Sequence, residues 1–321
     1  MDTALGNYLV GLDTIIGAEL GPLAFIDTLS QTQDDAEINL AIGLGGHQDD
    51  DVVIQLVYNA RARLESTRDP MRTWLGQLGL PLDPMNAAFN FFPASDSDTV
   101  LGAEWRLHDP TPRATLYLEG IARTTTDGDR QRRLIDLAQA IGISSEQVPP
   151  KLPIGEDYIV AIDLKPRGTS ALKRYAFVDS TPQHHATIEA LLLEHCTPEP
   201  VPQEVLSTLF HGAPCRGHIL QWRRYDDGQK TQLKIYKNYA YHGNDTAHSV
   251  QDDFQQLVEQ TDCGPRALDG YHRIVELGSS TGLHPRIANC SVAFLPGQGT
   301  PHYVTGYWAL SLPQDLDPDF M

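Results

Sequence analysis

A chain of 321 residues that is 41% hydrophobic can bury one large core or two smaller ones, so length alone leaves the domain count open. Its 42 acidic against 24 basic side chains give a net charge of −18, which disfavours nucleic acid or an anionic membrane surface as partner and obliges any bound polyanion to meet a local basic site. The four cysteines, Cys196, Cys215, Cys263 and Cys290, are far apart with no CxxC pair, pointing to neither a disulfide framework nor a zinc site and favouring reduced thiols in a cytoplasm.

At the N-terminus acidic Asp2 stands where an export signal would be basic, and no apolar run approaches the roughly 20 residues that cross a bilayer, so the chain reads as soluble and unexported. Helical periodicity over 5–20 leads to a first predicted hairpin. Glu37–Ile42 pairs with Val53–Tyr58 across a turn through Gly45, Gly46, Asp49 and Asp51. A helical stretch at 61–78 precedes the second hairpin, Ala103–His108 with Ala114–Glu119. After a helix over 128–142, Tyr158–Leu164 pairs with Ala171–Val178 across Lys165-Pro166-Arg167-Gly168. A helical segment at 183–212 is followed by His218–Tyr225 with Thr231–Tyr239 across Asp226-Asp227-Gly228. The last helical segment, 247–277, leads to Arg286–Phe294 and His302–Leu310, joined through Pro296-Gly297-Gln298-Gly299. The pattern is a five-fold strand-strand-helix repeat.

Successive strand side chains face opposite sides of a sheet, so alternation tells where polar groups point. In Ala171–Val178, Leu172 and Ala176 share one face while Lys173, Tyr175 and Phe177 share the other. Leu233 and Ile235 likewise oppose Gln232, Lys234 and Tyr236, and Val304, Trp308 and Leu310 oppose Tyr303, Thr305 and Tyr307. With the aliphatic face packed on helices, the Lys/Tyr face lines the other side, and closing such a sheet into a barrel removes its edges. The lumen is then wet and polar, large enough in such barrels to enclose a ligand.

Other patterns carry less. Asp49-Asp50-Asp51 reads as a solvated hairpin turn, and Gly43-Leu44-Gly45-Gly46, leading into acidic residues and a strand, reads as a turn and not as a phosphate loop. His184-His185 starts a helix without a matching ligand pair and reads as surface; Trp105, Trp222 and Trp308 read as core residues against helices.

The strands Ile159–Leu164, Leu172-Lys173-Arg174-Tyr175-Ala176-Phe177, Gln232-Leu233-Lys234-Ile235-Tyr236 and His302–Trp308 resemble the Lys-x-Tyr strands and closing Tyr strand of the soluble aromatic prenyltransferases, the ABBA or PT-barrel family, and its indole branch in particular. The likeness covers nearly the whole chain. It implies an α+β fold, one domain over 1–321: a closed ten-stranded antiparallel β-barrel of five αββα-type repeats with helices outside and a polar, ligand-binding lumen. It also implies transfer of an allylic isoprenoid, dimethylallyl or geranyl, from its diphosphate to an indole-type acceptor of secondary (alkaloid) metabolism by Friedel-Crafts alkylation. A phenolic acceptor, or a non-catalytic barrel holding a hydrophobic small molecule, is the alternative.

By the same resemblance Lys173, Tyr175, Lys234, Tyr236, Tyr303, Tyr307 and Tyr117 hold the diphosphate and screen the allyl cation, and Glu37 on the opening strand receives the ring N–H. The chain departs from the family at Thr115, where the second repeat usually has Lys, at Gln55, where the first repeat has Arg, and at Ala171, another Arg position. Arg106 or Arg223 then substitutes. Such cations and hydroxyls are preorganised for a departing diphosphate, while tyrosine faces attract a cation by about 0.5–2 kcal/mol each. Aspartate-rich DDxxD motifs that hold magnesium elsewhere are absent, so no cofactor is required; Mg2+ stays open as an alternative that no motif implies. Lysines on the inner face distinguish a diphosphate enzyme from a carrier of neutral ligands, and fully exposed lysines would mark an open-sheet interaction module.

Overall fold

The computed structural model describes residues 3–30, 36–45, 51–60, 64–92, 98–107, 111–119, 126–165, 168–224, 231–239, 244–283 and 286–311. Helices α1 (Thr3–Ile16) and α2 (Pro22–Ser30) lead into strands β1 (Ala36–Gly45) and β2 (Val52–Ala60). Helices α3 (Leu64–Gln77) and α4 (Asp83–Phe91) precede β3 (Asp98–Arg106) and β4 (Arg113–Glu119), and α5 (Asp127–Ala140) precedes β5 (Glu156–Lys165) and β6 (Gly168–Asp179). Then come α6 (Pro182–Cys196), α7 (Gln203–His211), β7 (Cys215–Arg224), β8 (Thr231–Tyr239), α8 (Asn244–Gln260), α9 (Pro265–Thr281), β9 (Arg286–Phe294) and β10 (Tyr303–Ser311).

The strands close into one antiparallel barrel in which each pairs with its sequence neighbours and β1 meets β10, Ala41 opposite Tyr307. Closure leaves no edge. Aliphatic side chains of one parity, among them Leu40, Ile54, Leu116, Ile162, Leu172, Leu220, Ile235 and Val304, are buried beneath the helices in a continuous core. Trp105 sits in it edge-on to Phe25 and Trp74 and donates through Nε1 to the Leu20 carbonyl at 2.9 Å. Trp308 packs on Phe254, with ring centroids 5.4 Å apart, and Trp222 packs half-buried against the same outer core. All three tryptophans are thus core residues on the helix side.

The helical stretches are more divided than periodicity suggests. The segment 183–212 is two helices, because Pro198, Pro200 and Pro202 cannot continue the α6 hydrogen-bond ladder. The segment 247–277 breaks at Gly264-Pro265, where α9 starts with Pro in its first turn. Helices α2 and α4, nine residues each, are not foreseen at all, being too short for a clear period.

Strand β3 begins five residues before Ala103, at Asp98. Gly43, Leu44 and Gly45 are strand and not turn. A Cβ on Gly43 would fall 1.9 Å from Tyr303 Oη, so glycine there leaves room for the tyrosine to lie across β1. Gly46, Asp49, Asp50, His108, Pro166, Arg167, Tyr225 and the turn Asp226-Asp227-Gly228 lie outside the described residues.

Two cations on the outer face are also buried. Arg174 is 1% exposed and bonds Asp157 through Nε at 2.7 Å and through Nη2, Gln131 at 2.7 Å and the Pro149 carbonyl at 3.3 Å. Arg130 of α5 reaches the same carboxylate at 3.1 Å. Lys237 of β8 bonds Asp253 of α8 at 2.8 Å and the Thr208 carbonyl at 2.6 Å. Every buried charge here has hydrogen-bonded partners, as burial requires.

Candidate functional site

Residues of the opposite parity line the lumen, which holds two cavities end to end. One, of about 270 Å³, is walled by Arg106, Arg113, Lys165, Lys173, Arg223 and Lys234 against two carboxylates, Glu104 and Asp163, with Gln55, Thr115, Gln221, Gln232, Thr305 and Tyr303 between them. The other, of about 230 Å³, is walled by Val57, Val100, Ile159, Ile219 and Ala288 with Asn39, Asn238, Asn289 and Glu119. Tyr117, Tyr175, Tyr236 and Tyr307 line both and form the waist between them.

The waist rings follow one another across the lumen with centroids 6.3, 6.0 and 5.6 Å apart, tilted at 57°, 50° and 41°. Their hydroxyls are held from the cationic side. Gln55 Nε2 donates to Tyr117 Oη at 3.1 Å, and Tyr236 donates to Gln221 Oε1 at 2.7 Å. Gly102 makes the close packing possible, since a Cβ there would lie 2.9 Å from Gln55 Nε2 and 3.2 Å from the Tyr117 ring.

Lys234, 9% exposed, donates to Thr305 Oγ1 at 3.0 Å and to Tyr307 Oη at 3.2 Å. Its ammonium lies 5.0, 5.5 and 5.6 Å from the ring centroids of Tyr236, Tyr303 and Tyr307. Among the described residues it has no carboxylate partner. Burial pushes its pKa below the usual lysine value, although Tyr307 partly restores it. Burial by itself would raise Tyr307, but the Lys234 charge and hydrogen bonds outweigh it and hold that phenol below its ordinary value. Tyr117, Tyr175 and Tyr236 are pushed well above theirs by burial and stay neutral.

Lys173 is differently placed. Its ammonium is 2.6 Å from Asp163, which also lies 3.6 Å from Arg223 and accepts from Thr115 Oγ1 at 2.9 Å. Burial opposes ionisation of Asp163, but Lys173, Arg223 and these hydrogen bonds prevail and its carboxyl titrates below the usual range. Lys173 and Arg223 are direct cross-strand neighbours, as are Thr115 and Asp163, so four adjacent strands build this cluster.

Nine of the residues singled out from sequence, Arg106, Tyr117, Lys173, Tyr175, Arg223, Lys234, Tyr236, Tyr303 and Tyr307, therefore share the cationic cavity. Glu37 belongs to β1 by its backbone, opposite Asn59 in register, but its side chain lies outside the described residues. Sequence reasoning missed Asp163. The available signal was a lone carboxylate sharing strand parity with Ile159 and Ala161 in an otherwise apolar run. It also missed Asn289 beside the second cavity, whose buried carbonyl oxygen has no hydrogen-bond partner among the described residues.

An arrangement of this kind can hold a polyanion at one end, screen a cation at the waist and seat a flat, largely apolar molecule at the other. No protein-family model matches the sequence, and comparison with curated protein sequences finds no significant match. Solved structures do match. The 6-dimethylallyltryptophan synthase of Micromonospora olivasterospora, solved with DMASPP and Trp, superposes with a TM-score of 0.66 at 14% identity over 97% of this chain and 98% of its own. The 5-dimethylallyl tryptophan synthase of Streptomyces coelicolor, also with DMASPP and Trp, gives 0.65 at 14% over 98% and 96%. The prenyltransferase PriB, solved with L-tryptophan and dimethylallyl thiolodiphosphate, gives 0.64 at 16% over 98% of both chains. At these identities the likeness is one of fold, and the chain has the ten-stranded barrel of these prenyltransferases, helices outside.

Proposed function

We propose that this protein is an aromatic prenyltransferase, a single catalytic domain over 1–321 acting in the cytoplasm, that transfers a dimethylallyl or geranyl group from its diphosphate to an indole-type acceptor. The observation that carries the reading is the tyrosine waist standing between a cation-rich and a largely apolar compartment. The similar solved barrels, which contain dimethylallyl thiolodiphosphate or DMASPP with tryptophan, support it. A carrier of neutral ligands has no use for Lys234 buried without a carboxylate partner among the described residues.

In this reading the diphosphate lies among Lys234, Lys173, Arg223, Arg106 and Tyr303, and heterolysis of the allylic C–O bond passes its electron pair to the leaving group there. Tyr307, held below its ordinary pKa by Lys234, is the hydroxyl readiest to donate to that charge. Tyr117, Tyr175, Tyr236 and Tyr307 face the allyl cation and keep water from it. The acceptor occupies the second cavity with its N–H directed at Glu37 or at the unpartnered oxygen of Asn289, and the ring carbon attacks. After attack the ring proton leaves to a base, and Glu37 is the candidate. Protein cations neutralise the diphosphate, so Mg2+ is not required.

The test is incubation of the purified protein with dimethylallyl and geranyl diphosphates against tryptophan, indole and phenolic acceptors, with and without EDTA, read by mass spectrometry. A prenylated indole formed in EDTA is expected. No prenylated product from any pair overturns the enzyme reading, and loss on chelation restored by magnesium overturns the metal-independent one. Glu37→Gln, which keeps shape and loses charge, is expected to lower turnover by about 10²–10⁴. Turnover within about twofold of wild type, well short of that range, makes Glu37 a bystander and favours Asn289.

A further inference from the structure

On the outer wall of the barrel, away from the lumen, α6 and β7 bring together His185, Cys215 and His218, with one candidate ligand atom of each within 4.8 Å of the others. Regular strand alternation would put Cys215 and His218, three residues apart, on opposite faces. The register of β7 against β8 slips between Cys215 and Gly217, and this bulge at Arg216 turns both side chains outward. His185 reaches them from the first turns of α6, whose start is fixed by the Thr181 cap and Pro182.

The hydrogen bonding of the cluster is incomplete in a telling way. His218 is fully buried, and its Nε2 lies 3.0 Å from the Leu209 carbonyl, which can only accept, so the proton sits on Nε2. That leaves the Nδ1 lone pair, which is buried and has no hydrogen-bond partner among the described residues. An orphan acceptor of this kind is costly unless something occupies it. The His185 and His218 rings stand 5.1 Å apart at 88°, and Ser180 Oγ lies 2.9 Å from His185 Nε2 and 3.3 Å from Cys215 Sγ.

We infer that His185, Cys215 and His218 form a structural binding site for Zn2+, with Ser180 or a water as the fourth ligand. Imidazole nitrogen and thiolate sulfur are both donors that this borderline-soft cation takes, and a fourth ligand completes a tetrahedron. The Nε2–H bond to the Leu209 carbonyl is the outer support that orients a metal-binding imidazole and raises its basicity. Lys237 is the nearby cation that opposes the ion, and its pairing with Asp253 at 2.8 Å offsets that. The cation would tie α6 to β7 on the face opposite Ile219, Gln221 and Arg223, which line the lumen.

The test uses the full chain, reduced, stripped with chelator, desalted and titrated with Co2+ and then Zn2+. A thiolate-to-cobalt charge-transfer band is expected, saturating at about one equivalent as for a single tetrahedral site and bleached by Zn2+. Cys215→Ser is expected to abolish it, and His185→Gln to weaken binding by about tenfold or more. Zn2+ should raise the Tm of the wild type and not of Cys215→Ser. No band in the wild type, or a band undiminished in Cys215→Ser, overturns the site. Should neither variant fold, X-ray absorption of the zinc-loaded wild type decides: a first shell without sulfur overturns it. None of these readouts uses prenyl transfer, so the site stands or falls apart from the proposed reaction.

Discussion

Lys173 and Lys234 come from the same sequence pattern, yet they meet different surroundings. The first is neutralised at 2.6 Å by Asp163, whereas the second, among the described residues, is held by hydroxyls and tyrosine faces with no carboxylate in contact. A desolvated, uncompensated ammonium gains most from an arriving anion. Lys234→Ala is therefore expected to lower kcat/KM for the allylic diphosphate by about 10², the usual loss for one preorganised donor, and Lys173→Ala by less. Steady-state kinetics with saturating acceptor check this, and equal effects would refute the distinction. Because burial depresses the Lys234 pKa, donor binding should also weaken as pH rises, beginning below the ordinary lysine range. Asp163 opposes the diphosphate with its own charge. Asp163→Asn keeps the bond to Thr115 while removing that charge, so the donor KM should fall by roughly tenfold, equivalent to about 1.4 kcal/mol. A rise in KM would mean that Asp163 serves chiefly to position Lys173 and Arg223.

Between elements, buried ion pairs on the helix side fix how helices sit on strands. Asp157 joins β5 to Arg174 of β6 and to Arg130 of α5, all three being nearly inaccessible at 1%, 1% and 4%. Removing the carboxylate leaves two guanidiniums buried without it. Asp157→Ala should therefore cost about 3–5 kcal/mol of stability, measured by denaturant unfolding, with the donor KM of the folded protein unchanged. A loss under about 1 kcal/mol would show that the arginines find water, as at an exposed pair. Alternation alone does not reveal this network. Arg174 and Lys237 fall on the aliphatic face by parity, and only the covering helices α5, α7 and α8 turn those positions from exposed to buried.

For the molecule as a whole, an excess of lumen cations inside a chain of net charge −18 focuses positive potential where the proposed diphosphate binds. Acid should destabilise this fold partly through His218. Its folded pKa, about 4, lies below the ordinary 6.5 because of burial, so between those values the unfolded chain binds a proton that the folded chain does not. Stability contributed by the neutral imidazole is complete above pH 6.5, falls as pH drops through this window and is lost below about 4, amounting to roughly 3 kcal/mol. Unfolding free energies across that range in chelator, compared with His218→Gln, measure it. An identical pH slope in the variant would remove His218 as the cause.

The sequence by itself determined the five hairpins, the parity of each strand and thus which lysines and tyrosines share a face, because strand alternation is a local property of the backbone. It did not mark the short helices α2 and α4, the breaks within the paired helices, or Gly43–Gly45 as strand. Glycine and proline punctuate a chain, but whether they end an element depends on what packs against it. The waist itself was decided only on closure. Tyr117, Tyr175, Tyr236 and Tyr307 lie on four strands, and the curvature of a sheet joined at β1 and β10 brings their rings into one layer. Pairing of β6 with β7 likewise set Arg223 beside Asp163 and Lys173, and a single bulge at Arg216 gathered Cys215 and His218 beneath His185. Such juxtapositions join residues distant in the chain or out of phase with its period. Local pattern carries neither, and the tertiary structure supplies both.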